Sequence, residues 1–186
     1  MLKTIDIALA GRDADRIVTL TELPALRADT WARAALRALD QDPDDGVVGL
    51  ALEHSNKAQN NEQARTAARA LIRARIGTRP LDLNTLRDWR SIFALQDAAF
   101  VLHAGFVVGR KPTELPITFQ ALMMGESDDL RPSFCSPLVA TVLQSGRASY
   151  HELDTVLSTE DAFNIVELIN LDAYHRWRAA QDTKTT

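Results

Sequence analysis

The sequence predicts a mainly α protein, a single helical domain with a small N-terminal β-hairpin. Three observations predict it. Apolar residues recur at helical spacing through most of the chain after residue 20. Period-two, β-prone runs gather in the first twenty residues. Several apolar stretches open on Ser or Thr followed by acids and close near Gly, as capped helices do. At 186 residues the chain is long enough for one domain with a substantial core. It divides into a hairpin over 1–20, a helical region over 21–104, an irregular connection over 105–137, a C-terminal helical module over 138–180 and a disordered tail over 181–186.

Thr4 to Leu9 and Arg16 to Leu20 are the two β-prone segments, joined by a polar turn, Gly11 to Asp15. Thr21-Glu22-Leu23-Pro24 then opens a helix, because proline suits a first turn, and Leu26, Trp31, Ala34, Ala35, Leu36 and Leu39 continue at helical spacing. Asp40 to Gly46 reads as a loop. Val47 to Leu52 is too short to separate strand from buried helix, and its Ala and Leu favour helix. Asn61 to Ile76 reads as a helix that stops at Gly77 with Pro80 beyond. On that helix Arg65, Arg69 and Arg73 fall at i, i+4 and i+8 and line one face. A solvated face and a charge-complementary contact are both open to them. Asn84 to His103 reads as a central helix with Leu86, Trp89, Phe93 and Phe100 on its core face, Ile92 and Ala99 beside them, and Gly105 as its stop. From Phe106 to Pro137, glycines and prolines recur and leave room for one short element around Ile117 to Met124.

The C-terminal module is the most regular part. Leu138 to Leu143 is helical, Ser145-Gly146-Arg147 turns, and Ser149 caps a short helix through Val156. Ser158 caps the last helix, with Glu160 and Asp161 in the first turn complementing the macrodipole. Ala162, Ile165, Val166, Ile169, Ala173 and Trp177 form its core stripe, opposite Glu160, Asn164, Glu167 and His175. Phe163 and Tyr174 widen the stripe, while Leu168 and Leu171 lie toward the polar face. These four are either contacts within the fold or apolar contacts for a partner helix.

Composition and motifs exclude several function classes. A hydrophobic fraction of 46%, a charged fraction of 25% and a net charge of -4 describe a folded protein that does not seek polyanions strongly. No apolar run is expected to reach membrane-spanning length, and Met1 to Ala10 carries Lys3 and Asp6 where a secretory signal needs a longer apolar core. The lone Cys135 closes no intramolecular disulfide, which suits a reducing cytoplasm, and its default role is a buried, inert thiol. His54, His103, His151 and His175 are too dispersed for a metal motif, and the nucleotide-binding and hydrolase signatures are absent. The expectation is no catalytic residue, no metal and no cofactor. Charge is segregated, with Lys57 to Arg79 basic and Glu126 to Asp172 acidic. Leu138 to Leu157 has a helix-turn-helix outline, but the second helix presents Tyr150, His151, Glu152 and Asp154, which would repel a phosphate backbone.

The run Leu20 to Ala32 (LTELPALRADTWA), together with Ser145-Gly146-Arg147-Ala148-Ser149-Tyr150, Glu152-Leu153, Val156-Leu157-Ser158 and Glu160-Asp161-Ala162 through Ala173, resembles the tail assembly chaperones of long-tailed bacteriophages and prophages. The resemblance covers the two ends of the chain and leaves Phe106 to Pro137 unmatched. It implies a mainly helical protein of the host cytoplasm that binds the phage tape measure protein and keeps it soluble while the tail tube assembles, with tube subunits competing for the same surface. It assigns no residue to the contact. On physical grounds Phe163, Leu168, Leu171 and Tyr174 are the candidate apolar contacts, and Arg65, Arg69 and Arg73 the candidate charged ones. The alternatives are a minor tail or neck protein of the virion and a small helix-turn-helix DNA-binding regulator.

Overall fold

The computed structural model describes residues 2–41, 69–111, 113–123 and 132–183. Strands β1 (Thr4–Ala8) and β2 (Ile17–Thr21) pair antiparallel, with Ile5 opposite Leu20 and Ile7 opposite Val18. Strand alternation sends these four side chains to the core and leaves Asp6 and Thr19 outside, where the Thr19 hydroxyl donates to the Asp6 carboxylate at 2.6 Å.

The expected hairpin is half of a larger sheet. β3 (Ala74–Ile76) joins β2, and β4 (Arg79–Pro80) joins β3, giving the antiparallel order β1-β2-β3-β4. This corrects the helix expected to run through Ile76. Helical turns are described only at Arg69 and Ala70, and the chain is extended by Ala74. Pairing of Ala74 with Leu20, together with burial of Leu71, overrides the helix preference of the Ala- and Arg-rich sequence. Gly77, at φ +58°, turns β3 into β4 instead of ending a helix, and Pro80 occupies an edge strand that tolerates its missing N–H. Asn61 to Ala68 and Val47 to Leu52 lie outside the described residues.

Helix α1 (Ala25–Gln41) starts behind Pro24 as expected and includes Asp40 and Gln41, which the sequence placed in a loop. Helix α2 (Trp89–Gly109) starts later than expected and runs through Gly105. Asp88 caps it by accepting the Arg90 N–H at 3.1 Å, and the preceding Leu83–Thr85 is a 3-10 turn. Its buried residues are Ser91, Leu95, Ala99, Leu102 and His103, so the expected Ala99 is core but the aromatic row beside it is not among the buried residues. Small side chains at Ser91 and Ala99 let the helix approach the sheet, whereas Trp89 is 58% exposed and meets Phe93 edge-on. Because α2 continues through Gly105, it is long and apolar enough to cross a membrane by length and composition, with a mean hydropathy of 1.6. This corrects the expectation that no apolar run reaches that length.

The short element expected in the irregular region is α3 (Ile117–Met123). α4 (Pro137–Gln144), α5 (Tyr150–Thr155) and α6 (Thr159–Asp182) follow the expected capping pattern, and α6 extends two residues into the stretch expected to be a disordered tail. Ser149 with Glu152 and Ser158 with Asp161 both form complete capping boxes. The last three residues lie outside the described set.

Two cores result. The sheet packs on α2 around Leu9, Val18, Leu20, Leu71, Leu95, Ala99 and Leu102. The C-terminal helices pack on the start of α1 around Leu26, Val139, Val142, Leu153 and Ala162. The segment between β2 and α1 joins the two. Glu22 exchanges two hydrogen bonds with the backbone of residue 3, donating its N–H to the Lys3 carbonyl at 2.9 Å and accepting the Lys3 N–H at 3.1 Å. Burial pushes the Glu22 carboxyl above its ordinary value against the pull of the Lys3 amide. The Ala25 N–H donates to the Leu157 carbonyl at 2.7 Å. The Leu23 N–H donates to Nε2 of buried His103 at 2.7 Å, so that nitrogen carries no proton. The ring is therefore neutral, with Nδ1–H donating to the Ala99 carbonyl at 2.6 Å. Burial pushes the His103 pKa down, opposed by the Ala99 bond.

The turn end of the sheet is tied to α2 by Asp13, which is wholly buried. Its carboxylate accepts the backbone N–H of Arg87 at 3.1 Å, the N–H of Asp88 at 2.9 Å and the Ser91 hydroxyl at 2.9 Å. Burial pushes this carboxyl up, but the Arg87 amide, the Ser91 hydroxyl, the Asp88 amide and the Arg16 charge together hold it below its ordinary value. Gly11, at φ +64°, lies so close that a Cβ there would sit 2.2 Å from Asp88 Oδ2.

Two predictions follow from this arrangement. Gly11→Ala should destabilise the fold by about 2–3 kcal/mol through left-handed strain and overpacking. Gly77→Ala, with a similar φ and open space around it, should cost only about 1 kcal/mol. Equal shifts in denaturant midpoint would contradict the close approach to Asp88. For His103, the folded pKa lies below the unfolded value of about 6.5, so its contribution to stability is complete above that pH and is lost as pH falls through it. Denaturant titrations should show wild type losing more stability than His103→Gln from about pH 7.5 to 5.5. Parallel pH profiles would mean that His103 does not bridge the cores as a neutral ring.

Candidate partner-binding clefts beside the C-terminal helix

Helix α6 is shared between three neighbours. Ala162 is fully buried, and Ile165 and Val166 pack against the C-terminal core, as the expected stripe requires. Farther along, Phe119 of α3 is buried beside Tyr174 and Trp177, with ring centroids 5.5 and 5.6 Å away. On the polar side opposite the stripe, Asn164 and Glu167 are met by the chain leaving α2, while His175 is exposed. Arg110 donates to Asn164 Oδ1 and Glu167 Oε2, both at 2.7 Å, and the Thr113 N–H and hydroxyl donate to Glu167 Oε1 at 2.9 and 2.5 Å. The Thr113 hydroxyl and amide, followed by the Arg110 charge, hold the Glu167 carboxyl below its ordinary value despite some burial.

Phe163 stands between two clefts. Its ring is 5.6 Å from that of Phe106, and the Arg110 guanidinium lies over it at 5.6 Å. On one side a cleft of about 150 Å³ opens between α6 and the stretch after α2, lined by Arg110, Thr113, Leu115, Val166, Glu167, Asn170 and Leu171 along with Phe163. On the other, an apolar cleft of about 300 Å³ lies among α1, α2, α4 and the start of α6. Its walls include Ala28, Trp31, Phe100, Leu138, Val139 and Phe163, with His103 at the side and the Asp29–Arg33 pair at the rim. That pair is fixed: Arg33 Nε donates to Asp29 at 2.9 Å, Arg33 also bonds the Ser133 and Phe134 carbonyls, and Asp29 accepts the Ser136 N–H.

The structure brings only some of the candidate residues together. Phe163 and Leu171 share the smaller cleft, and Phe163 also lines the larger one. Leu168 is 56% exposed and lines neither cleft. Tyr174 is engaged with α3, a contact within the fold. Arg65 lies outside the described residues. Arg69 is in a helical turn and Arg73 in the extended chain leading to β3, so these two do not form the expected helical row. The sequence reading missed His103, Arg110 and Thr113. Arg110 directly after an apolar helix was the available signal, but its partners are more than fifty residues away.

Among the described residues, no group of three or more His, Cys, Asp or Glu could hold a metal. Cys135 is buried, and desolvation and the Asp29 charge push its thiol up, only partly countered by Arg33. The helix-turn-helix outline corresponds to α4 and α5, but α5 is six residues long, Glu152 is committed to its capping box, and Asp154 pairs with Arg27 at 3.3 Å. In comparison with known proteins, no protein-family model, curated protein or solved structure matches this chain.

Proposed function

We propose that this protein is a tail assembly chaperone that binds the tape measure protein of a long-tailed phage in the host cytoplasm. The observation that supports the reading is the pair of adjacent clefts flanking Phe163, the larger apolar and the smaller half polar, with the Arg110–Glu167 and Asp29–Arg33 pairs beside them. An amphipathic helix presents apolar side chains at successive turns, and adjacent clefts on a helical surface receive such anchors. A tape measure exposes long apolar helical stripes before assembly, and covering them needs neither covalent chemistry nor a nucleotide. Tail tube subunits would release the chaperone by competing for the same stripes. Phe163 and Leu171 are the anchoring contacts in this reading, and Leu168 and Tyr174 lie outside the grip.

Co-expression with the tape measure protein of a long-tailed phage is the test. The wild-type chain should raise the soluble fraction of that protein and copurify with it. Phe163→Asp or Leu171→Asp should weaken copurification by about tenfold or more, as loss of a buried apolar anchor does. Leu168→Asp should copurify like wild type, and circular dichroism should show all three variants folded. Absence of both copurification and a solubility effect for the wild-type pair would sink the proposal.

A further inference from the structure

We propose that the turn end of the sheet is a second docking surface, built for an acidic segment of a partner protein. It is separate from the clefts beside α6 and does not depend on what they bind. The order of the sheet places the β1–β2 turn and the β3–β4 turn at the same end. Asp13 then fastens the start of α2 to that end through the amides of Arg87 and Asp88. Arginines that are far apart in sequence therefore converge: Arg12 and Arg16 from the first turn, Arg79 from the second, and Arg87 and Arg90 from the start of α2. Arg16 reaches across this junction to the Thr85 carbonyl at 3.3 Å.

Four aspartates lie among them, two buried and two exposed. Asp13 and Asp88 are buried and occupied by backbone amides, and Asp82 caps the Asn84 amide. Asp15 is the exposed acid of the first turn. Arg12, Arg79, Arg87 and Arg90 are exposed and in no ion pair with a described residue, while Arg16 lies 3.9 Å from Asp13. Exposed arginines therefore outnumber exposed carboxylates at this end of a chain whose net charge is -4, an asymmetry set by the fold.

Trp89 sets the kind of partner. It is 58% exposed at the first residue of α2, between Arg87 and Arg90 in the chain, with the Arg90 guanidinium over its ring at 5.7 Å and Phe93 edge-on at 5.4 Å. The Arg90 guanidinium covers one face of the indole and leaves the other for a single contacting group, too little for a run of stacked bases. The net negative charge of the whole chain also opposes a long polyanion. Exposed Trp among arginines is instead the composition of a protein-binding hot spot, with guanidinium groups for carboxylates and the indole for one apolar side chain.

The full-length chain would be titrated against a fluorescein-labelled peptide of glutamates flanking a single leucine, and separately against a labelled oligothymidine of equal charge, with anisotropy as the readout. The peptide should bind more tightly than the oligonucleotide. Arg87→Glu combined with Arg90→Glu should weaken peptide binding by about tenfold or more, and Arg79→Glu, on a different element, should weaken it independently. Trp89→Ala should weaken it as well, while Phe163→Asp should leave it unchanged. Equal peptide binding by wild type and both arginine variants, or tighter binding of the oligonucleotide, would overturn the proposal.

Discussion

The buried carboxylate of Asp13 is the contact on which the rest of the structure depends. A charge in that position is tolerated only because amide and hydroxyl donors surround it. Those donors are the two amides leading into α2 and the hydroxyl of Ser91 in its first turn, so one side chain satisfies the helix entry and locks the hairpin turn against it. Gly11 is what allows the turn to come so close. With that end fixed, α2 lies along the sheet and presents His103 to the segment between β2 and α1. The His103 contact then sets where α1 leaves the sheet, and hence where the C-terminal helices pack.

The clefts beside α6 are a consequence of this scaffold. The Arg110 and Thr113 clamp on Glu167 holds the chain leaving α2 against the flank of the helix, and Phe163 fills the seam between the two openings. The C-terminal helix is therefore not a core stripe with a bare polar back. Its first half carries the core and the clamp, and its second half carries the aromatic contact with α3. This division explains why Phe163 and Leu171, rather than the whole set of surplus apolar residues, form one surface.

Signals confined to a few neighbouring residues were legible in the sequence. The capping boxes at Ser149 and Ser158 announce α5 and α6 because each reads within four residues, and the β1–β2 alternation announces itself in the same way. What was not legible depends on residues distant in the chain. Ala74 to Ile76 are strand because Leu20 and Thr19 lie beside them, and no local feature of that Ala- and Arg-rich run says so. α2 passes through Gly105 because packed side chains outweigh the modest cost of glycine within a helix. The aromatic row at Trp89 and Phe93 looked like core by spacing alone, yet the side of α2 facing the sheet is built from smaller residues. At the candidate site, Phe163 and Leu171 were visible as apolar excess on α6. Arg110 and His103 were not, since their roles exist only once α2 meets α6 and the β2–α1 segment.

Amide hydrogen exchange on Asp13→Ala tests the central claim most directly, because it reads each half of the junction separately. If Asp13 docks the sheet onto α2, the amides of Arg87 and Asp88 and those of β1 and β2 should lose protection together. Wild-type protection at both the β1–β2 amides and the first turn of α2 would contradict the account.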